Sequence, residues 1–262
     1  MIKSLILLLL AILPTVLIGI YVYKNDKHKE PISILLLLFI LGIISALTVI
    51  FLSYLLELII PTFTKSIYQM NIIELVLKTF IEVALIEEIC KWVIVYFIGY
   101  KNKEFDETYD VIIYAIFVGL GFATFENISY IFDHNAINVA IQRGIFSVPG
   151  HVSYAIFMSY YLCLAKISSL KGNKSKEKIN ILKSILVPTL LHGVYDFCLF
   201  TEKNIYIIVF FAFSVILFLM AFQQLRQLYK SNATLLNIKK TCSNCGQSYY
   251  GNICPRCRHR QD

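Results

Sequence analysis

The sequence predicts an all-α polytopic membrane protein of about seven transmembrane helices, followed by a small cysteine-rich tail. Three observations predict it. Apolar residues make up 58% of the 262 positions and charged residues 16%, with a mean hydropathy of +0.69; a soluble domain averages roughly 45–50% and 25%. Runs of about 20 or more apolar residues, long enough to cross a bilayer, recur along most of the chain. Four of the seven cysteines crowd beyond the last such run, at Cys242, Cys245, Cys254 and Cys257.

The spans read as about 3–23, 32–60, 73–100, 109–132, 144–166, 180–200 and 205–227. Leu5 to Tyr21 is too long for a signal-peptide core and lacks a small-x-small cleavage site, so it is expected to be a retained helix. The second and third spans exceed about 20 residues and should tilt or extend into the interface. Lysines and arginines then set the orientation. They gather at Lys24, Lys27 and Lys29, at Lys101 and Lys103, between Lys166 and Lys183, and from Arg226 to Arg260. The other side carries only Lys3, Lys65, Arg143 and Lys203. The chain is thus expected to be multi-pass in the cytoplasmic membrane, with its N-terminus outside and its C-terminus in the cytoplasm. The net charge of +7 marks cytoplasmic loops beside anionic headgroups, which disfavours a nucleic-acid role.

Domain organisation follows: a transmembrane domain over 1–230, a linker over 231–240 and a tail over 241–262. Cys90, Cys163 and Cys198 lie singly in apolar segments and read as small buried hydrophobes. The tail holds two Cys-x-x-Cys knuckles, Cys242/Cys245 and Cys254/Cys257, with Gly246 and Pro255 suited to tight turns. Four thiolates satisfy tetrahedral zinc, and the metal supplies folding energy that so short a segment lacks. A small cytoplasmic zinc ribbon is expected, with a binding or regulatory role toward a cytoplasmic partner. A reducing cytoplasm agrees with that placement.

Charged residues inside the spans carry the chemistry. The third span contains Glu87, Glu88 and Lys91, which share one helix face at i, i+3 and i, i+4 spacing. A charge at bilayer depth costs roughly 2.5–3.5 kcal/mol, so the three need partners or a purpose. The fourth span brings Glu126 and Asn127, about 9 Å from its outer end at about 1.5 Å per residue. Gly119 and Gly121 there admit close approach of a helix or of a substrate backbone. Pro149-Gly150 should bend or delay the fifth span and leave His151 toward the outer side. His192 and Asp196 fall on one face of the sixth. Each alone reads as a satisfied interhelical polar group. Four sets on consecutive spans exceed what packing explains, because such contacts average only about 0.6 kcal/mol.

The ordered set Glu87-Glu88-x-x-Lys91, Phe122-Ala-Thr-Phe-Glu126-Asn127, His151 and His192-x-x-x-Asp196 resembles the PrsW family of intramembrane proteases over about residues 32–200. That family lies in the broader superfamily of type II CAAX prenyl proteases and bacteriocin-immunity-like proteins. The prenyl proteases end the first motif in Arg and place His where Glu126 stands, which favours the PrsW resemblance. It implies cleavage of a membrane-spanning protein, such as an anti-sigma factor, near the extracytoplasmic side of the bilayer. It also implies Glu87 as general base, with Glu88 pairing with Lys91 to hold the helix. His151 and His192 are candidates to orient water or stabilise an oxyanion, Asn127 to donate its amide, and Asp196 to set the His192 tautomer. A zinc-dependent scheme, with Glu87, Glu126, His151 and His192 as ligands, stays open beside the glutamic one. No His-Glu-x-x-His, Gly-x-Ser-Gly or Gly-x-Gly-Asp motif is present. The competing readings are a non-catalytic immunity or sensor protein and a proton-coupled carrier relaying through Glu87 and Glu126. No internal repeat supports the carrier.

Overall fold

The computed structural model describes residues 2–102, 105, 107–134, 136–201, 203–230, 240–249 and 253–260. Lys103 and the expected linker, apart from Lys240, lie outside the described residues. Seven helical rods form the membrane domain. α1 is Ile2–Asn25 and α2 is Ile32–Ile59. α3 runs without interruption over 72–100, with α-helical Ile72–Leu77 and Ile86–Ile94 alternating with π-helical Lys78–Leu85 and Val95–Tyr100. α4 is Asp110–His134. α5 runs over 137–170, as Ile137–Gln142, a π turn at Arg143–Ser147, and Val148–Leu170. α6 is Lys174–Phe200 and α7 is Asn204–Lys230.

Among the described residues, five helices are long and apolar enough to cross a membrane: Lys3–Asn25, Ile32–Ile59, Asp110–His134, Lys174–Phe200 and Asn204–Tyr229. α3 and α5, the two other expected spans, are the rods divided by π turns. α3 starts at a capping box: Asn71 Oδ1 accepts from the Ile73 and Glu74 amides, and Glu74 Oε2 accepts from the Asn71 amide. Three backbone donors at the helix start are thereby satisfied.

α4 is the axle. Its membrane-length window is 78% buried, against 28% for α2 and 22% for α7. The more apolar helices face lipid instead, with mean hydropathy 3.1 for α2 and 2.9 for α7 against 1.8 for α4, while Val111, Ile112, Ile113, Ile116, Val118 and Leu120 of α4 fill the core. α1, α2 and α5 pack around it, and α5 packs most extensively against α6. Exposed Leu9, Ile40, Phe51, Ile208 and Leu219 face outward, as lipid-facing side chains do.

Of the two expected uses for Gly119 and Gly121, both glycines serve helix packing. A Cβ on Gly121 would strike the Phe39 carbonyl oxygen and one on Gly42 the Val118 carbonyl oxygen, so α2 and α4 cross backbone to backbone. At Gly119 the neighbour is the His151 carbonyl of α5, 3.3 Å from an ideal Cβ.

The bend expected at Pro149-Gly150 is not where α5 yields. The helix starts at residue 137 and continues through the proline. The π turn at Arg143–Ser147 widens the backbone where Pro149 lacks an N–H and its ring would press on the preceding turn.

In the tail, β1 (Lys240–Thr241) pairs antiparallel with β2 (Ser248–Tyr249). The Gly246 amide donates to the Cys242 carbonyl at 2.9 Å and the Arg258 amide to that of Cys254 at 2.8 Å. The two knuckles thus repeat one geometry, with positive φ at Gly246 (71°) and Arg258 (55°).

Candidate active site

Glu87, Glu88 and Lys91 occupy the short α-helical stretch of α3 between its two π segments. Lys91 Nζ donates to Glu88 Oε1 at 2.8 Å and to Glu87 Oε2 at 3.2 Å, and lies 4.0 Å from the Phe122 ring centroid. The ammonium also reaches His151 Nδ1 on α5 at 3.2 Å. Because Lys can only donate, Nδ1 accepts, and His151 donates through Nε2 to Glu126 Oε2 on α4 at 2.7 Å. On α6, His192 turns Nδ1 to Glu88 Oε1 at 3.0 Å and Nε2 to Asp196 Oδ2 at 3.2 Å. Glu87 Oε2 is 3.9 Å from the same Nε2. Seven of the eight residues expected in the membrane site therefore lie along one polar chain across α3–α6, and Arg143 joins the eighth, Asn127, to it.

Two residues that the sequence did not point to complete it. Arg143 was expected among the positive residues of an outer segment. Instead its Nη2 pairs with Glu126 Oε2 at 3.0 Å and donates to Ser147 Oγ at 3.0 Å, Nε donates to Asn127 Oδ1 at 3.0 Å, and its guanidinium stacks 3.9 Å from the Tyr130 centroid. The π turn starts at Arg143 and ends at Ser147. Tyr154 stacks on His192, with ring centroids 4.6 Å apart and planes at 16°. A lone cation in the apolar stretch before Pro149, and a tyrosine three residues after His151, were the available signals.

A cavity of about 810 Å³ opens onto the chain. Glu87, Glu126, Arg143, His151, His192 and Asp196 line it, together with aromatic rings that include Phe122, Phe125, Phe146 and Phe210. Glu88 and Lys91 do not: Glu88 is wholly buried and Lys91 is 3% exposed. The pair is thus divided, with Glu87 at the cavity wall and Glu88 sealed behind it. Asn127 is also wholly buried. Its Oδ1 is taken by Arg143 and its Nδ2 reaches the Ala11 carbonyl at 3.4 Å, so its amide is turned away from the cavity. α2 supplies Ala46, Ile50 and Ser53 to one wall and α7 supplies Ile207 and Phe211 to another. These two helices do not pack on each other beyond isolated contacts, so the cavity is not closed off by a helix seam between them.

A second ionic set stands apart on α3, where Lys78 Nζ meets Glu82 Oε2 at 2.8 Å and the Phe63 carbonyl at 2.8 Å. It ties the 60–71 connection to α3 and does not line the cavity. In the tail, one sulfur from each of Cys242, Cys245, Cys254 and Cys257 gathers within 4.8 Å of the others, a set able to hold a metal ion.

The family model described as PrsW family intramembrane metalloprotease matches residues 30–222. The curated Protease PrsW of Clostridioides difficile is 37% identical over 216 residues, covering 80% of this chain and 86% of that protein. Protease PrsW of Oceanobacillus iheyensis is 33% identical over 216 residues (82% and 93%), and that of Bacillus subtilis 33% over 194 residues (74% and 82%). No solved structure matches. A match across most of the membrane domain, on a helical bundle with four consecutive rods feeding one polar cavity, leads to one conclusion: the chain belongs to the PrsW family of intramembrane proteases.

Proposed function

We propose that the protein is a glutamic-type intramembrane endopeptidase in which Glu87 activates water against a peptide bond of a single-span membrane protein. The observation that carries this reading is the division of the carboxylate pair. Glu87 alone of the two faces the cavity, and its Oε1 keeps no partner among the described residues while Oε2 is held by Lys91. A general base needs that arrangement: one oxygen anchored, one open to water. Glu87 takes the water proton as the oxygen attacks the carbonyl carbon, and returns it to the leaving amine as the tetrahedral intermediate collapses. Glu88 and Lys91 hold α3 in register. Glu126 orients His151, and Asp196 with Glu88 fixes His192 over the cavity.

The family description names a metal, and two features speak for one. Donor atoms of Glu87, Glu88 and His192 lie within 4.8 Å of one another, and Glu88 Oε2 is buried without a hydrogen-bond partner. The contacts of the same donors nevertheless favour the glutamic scheme. The Lys91 ammonium already bridges both carboxylates, where a cation would stand. His192 turns opposite nitrogens toward Glu88 and Glu87, and the Nδ1 lone pair of His151 is engaged by Lys91. The His151 Nδ1 lone pair is thereby taken, and His192 meets carboxylates at both nitrogens.

The remaining parts follow the charge pattern and the family. The N-terminus lies outside and the C-terminus in the cytoplasm, and the substrate, of the anti-sigma-factor kind, enters from the bilayer between α2 and α7 and is cut toward the extracytoplasmic side. Residues 1–230 form the protease and 241–262 a structural zinc ribbon that contacts a cytoplasmic partner. Its four sulfurs leave no open position for chemistry. The test is cleavage of a single-span substrate by protein truncated after Tyr229, in lipid vesicles with a strong chelator. Undiminished cleavage with no metal by elemental analysis supports the glutamic scheme. Loss of cleavage that added zinc restores would refute it.

A further inference from the structure

We infer that Arg143 is a substrate-binding residue, and that its outward-facing Nη1 donates to a main-chain carbonyl of the peptide segment in the cavity. The inference rests on the endopeptidase reading and deepens it. A single-span substrate arrives as a helix whose backbone hydrogen bonds are internal. Cutting it requires a few residues to unwind, which frees carbonyls inside a cavity walled largely by aromatic rings. An unpaired carbonyl there is costly, so the cavity must offer donors.

Among the charged groups that line the cavity, the usual donors are committed. His151 gives Nε2 to Glu126 and accepts from Lys91 on Nδ1. His192 faces carboxylates with both nitrogens. Lys91 sits behind the wall, and the Asn127 amide points into the protein. Arg143 differs. Nε is fixed by Asn127 and Nη2 by Glu126 and Ser147, while Nη1 has no partner among the described residues and the side chain remains 15% exposed where it lines the cavity. Three bonds and the Tyr130 ring hold the fork rigid, so the free donors are aimed before substrate arrives. The acceptor is a neutral carbonyl rather than an acidic side chain, because Glu87, Glu126 and Asp196 line the same cavity and would oppose an anion. The π turn supplies the placement: it carries Arg143 and Ser147 on successive turns of α5 beside Glu126 of α4.

A residue that merely neutralised Glu126 would be replaced by lysine without effect on substrate affinity. The experiment therefore compares Glu87→Gln protein with Glu87→Gln/Arg143→Lys, binding a fluorescent single-span peptide in detergent micelles. The peptide carries an apolar run of about 20 residues interrupted by a central Gly-Pro. Lysine keeps the positive charge opposite Glu126 but loses the fork. We expect the double variant to bind roughly tenfold or more weakly, the loss of a hydrogen bond to a charged donor, measured at a temperature where both proteins are fully folded. Arg143→Lys alone should raise KM with kcat largely kept. Equal affinity with both proteins folded overturns the inference, as does a peptide that binds neither form. If the double variant does not fold, Arg143→Gln in the same background gives the same readout. Arg143-dependent binding without any cleavage by wild type would instead refute the endopeptidase reading and leave Arg143 a peptide-binding residue.

Discussion

Replacing Lys91 by methionine removes a cation and keeps the side-chain volume, which isolates its electrostatic work. The ammonium serves three acceptors: Glu88 Oε1 at 2.8 Å, Glu87 Oε2 at 3.2 Å and His151 Nδ1 at 3.2 Å. The three do not lose equally. Glu87 faces the cavity and can rehydrate. Glu88 is wholly buried and keeps only His192, at 3.0 Å, while its Oε2 has no partner. Removing one member of a buried pair typically costs about 3–5 kcal/mol, because the other charge stays buried and uncompensated. Lys91→Met should therefore lower stability by about 3–5 kcal/mol in a reversible mixed-micelle unfolding titration. Adding Glu88→Gln removes the stranded charge, so the double variant should regain about 1–3 kcal/mol over simple additivity. A Lys91→Met loss below about 1 kcal/mol, the range of a solvated surface pair, would refute the claim that the set is sealed. So would strict additivity in the cycle.

Other consequences are read independently. Gly121→Ala places a methyl against the Phe39 carbonyl oxygen; forcing α2 from α4 should cost about 1–3 kcal/mol in the same titration, and an unchanged midpoint would contradict the backbone-to-backbone crossing. Cys242→Ser or Cys254→Ser should reduce bound zinc from about one per chain to none by elemental analysis, and zinc retained in full would refute the four-sulfur site. Arg258 holds the positive φ that Gly246 holds in the other knuckle. Relieving a cost of about 1–2 kcal/mol, Arg258→Gly should strengthen zinc retention against a competing chelator, and weaker retention would argue against the repeated geometry.

The helical membrane class was legible because lipid-facing helices are apolar over more than about 18 residues, as α1, α2 and α7 are. The polar residues were legible for the converse reason, since Glu87, Glu88, Lys91 and Glu126 interrupt apolar runs. Spacing within one helix carried the Glu88–Lys91 and His192–Asp196 pairs. What escaped depends on packing between helices. Whether Glu87 or Glu88 faces the cavity is decided by which side of α3 meets α6, and two adjacent residues carry no mark of it. Arg143 counted as an outer-loop charge because nothing local shows that α5 begins at residue 137 and winds a π turn there. Asn127 looked like a donor, yet it lies where α1 and Arg143 take both ends of its amide.

The most direct test is Glu87→Gln, assayed for cleavage of a single-span substrate in vesicles beside wild type, with unfolding measured on the same preparations. Glutamine keeps the shape and the oxygen held by Lys91 but cannot take a proton from water. The account predicts a fall in cleavage of about 10²–10⁴-fold, the usual worth of a general base, with the unfolding midpoint essentially unchanged. Cleavage equal to wild type would contradict it.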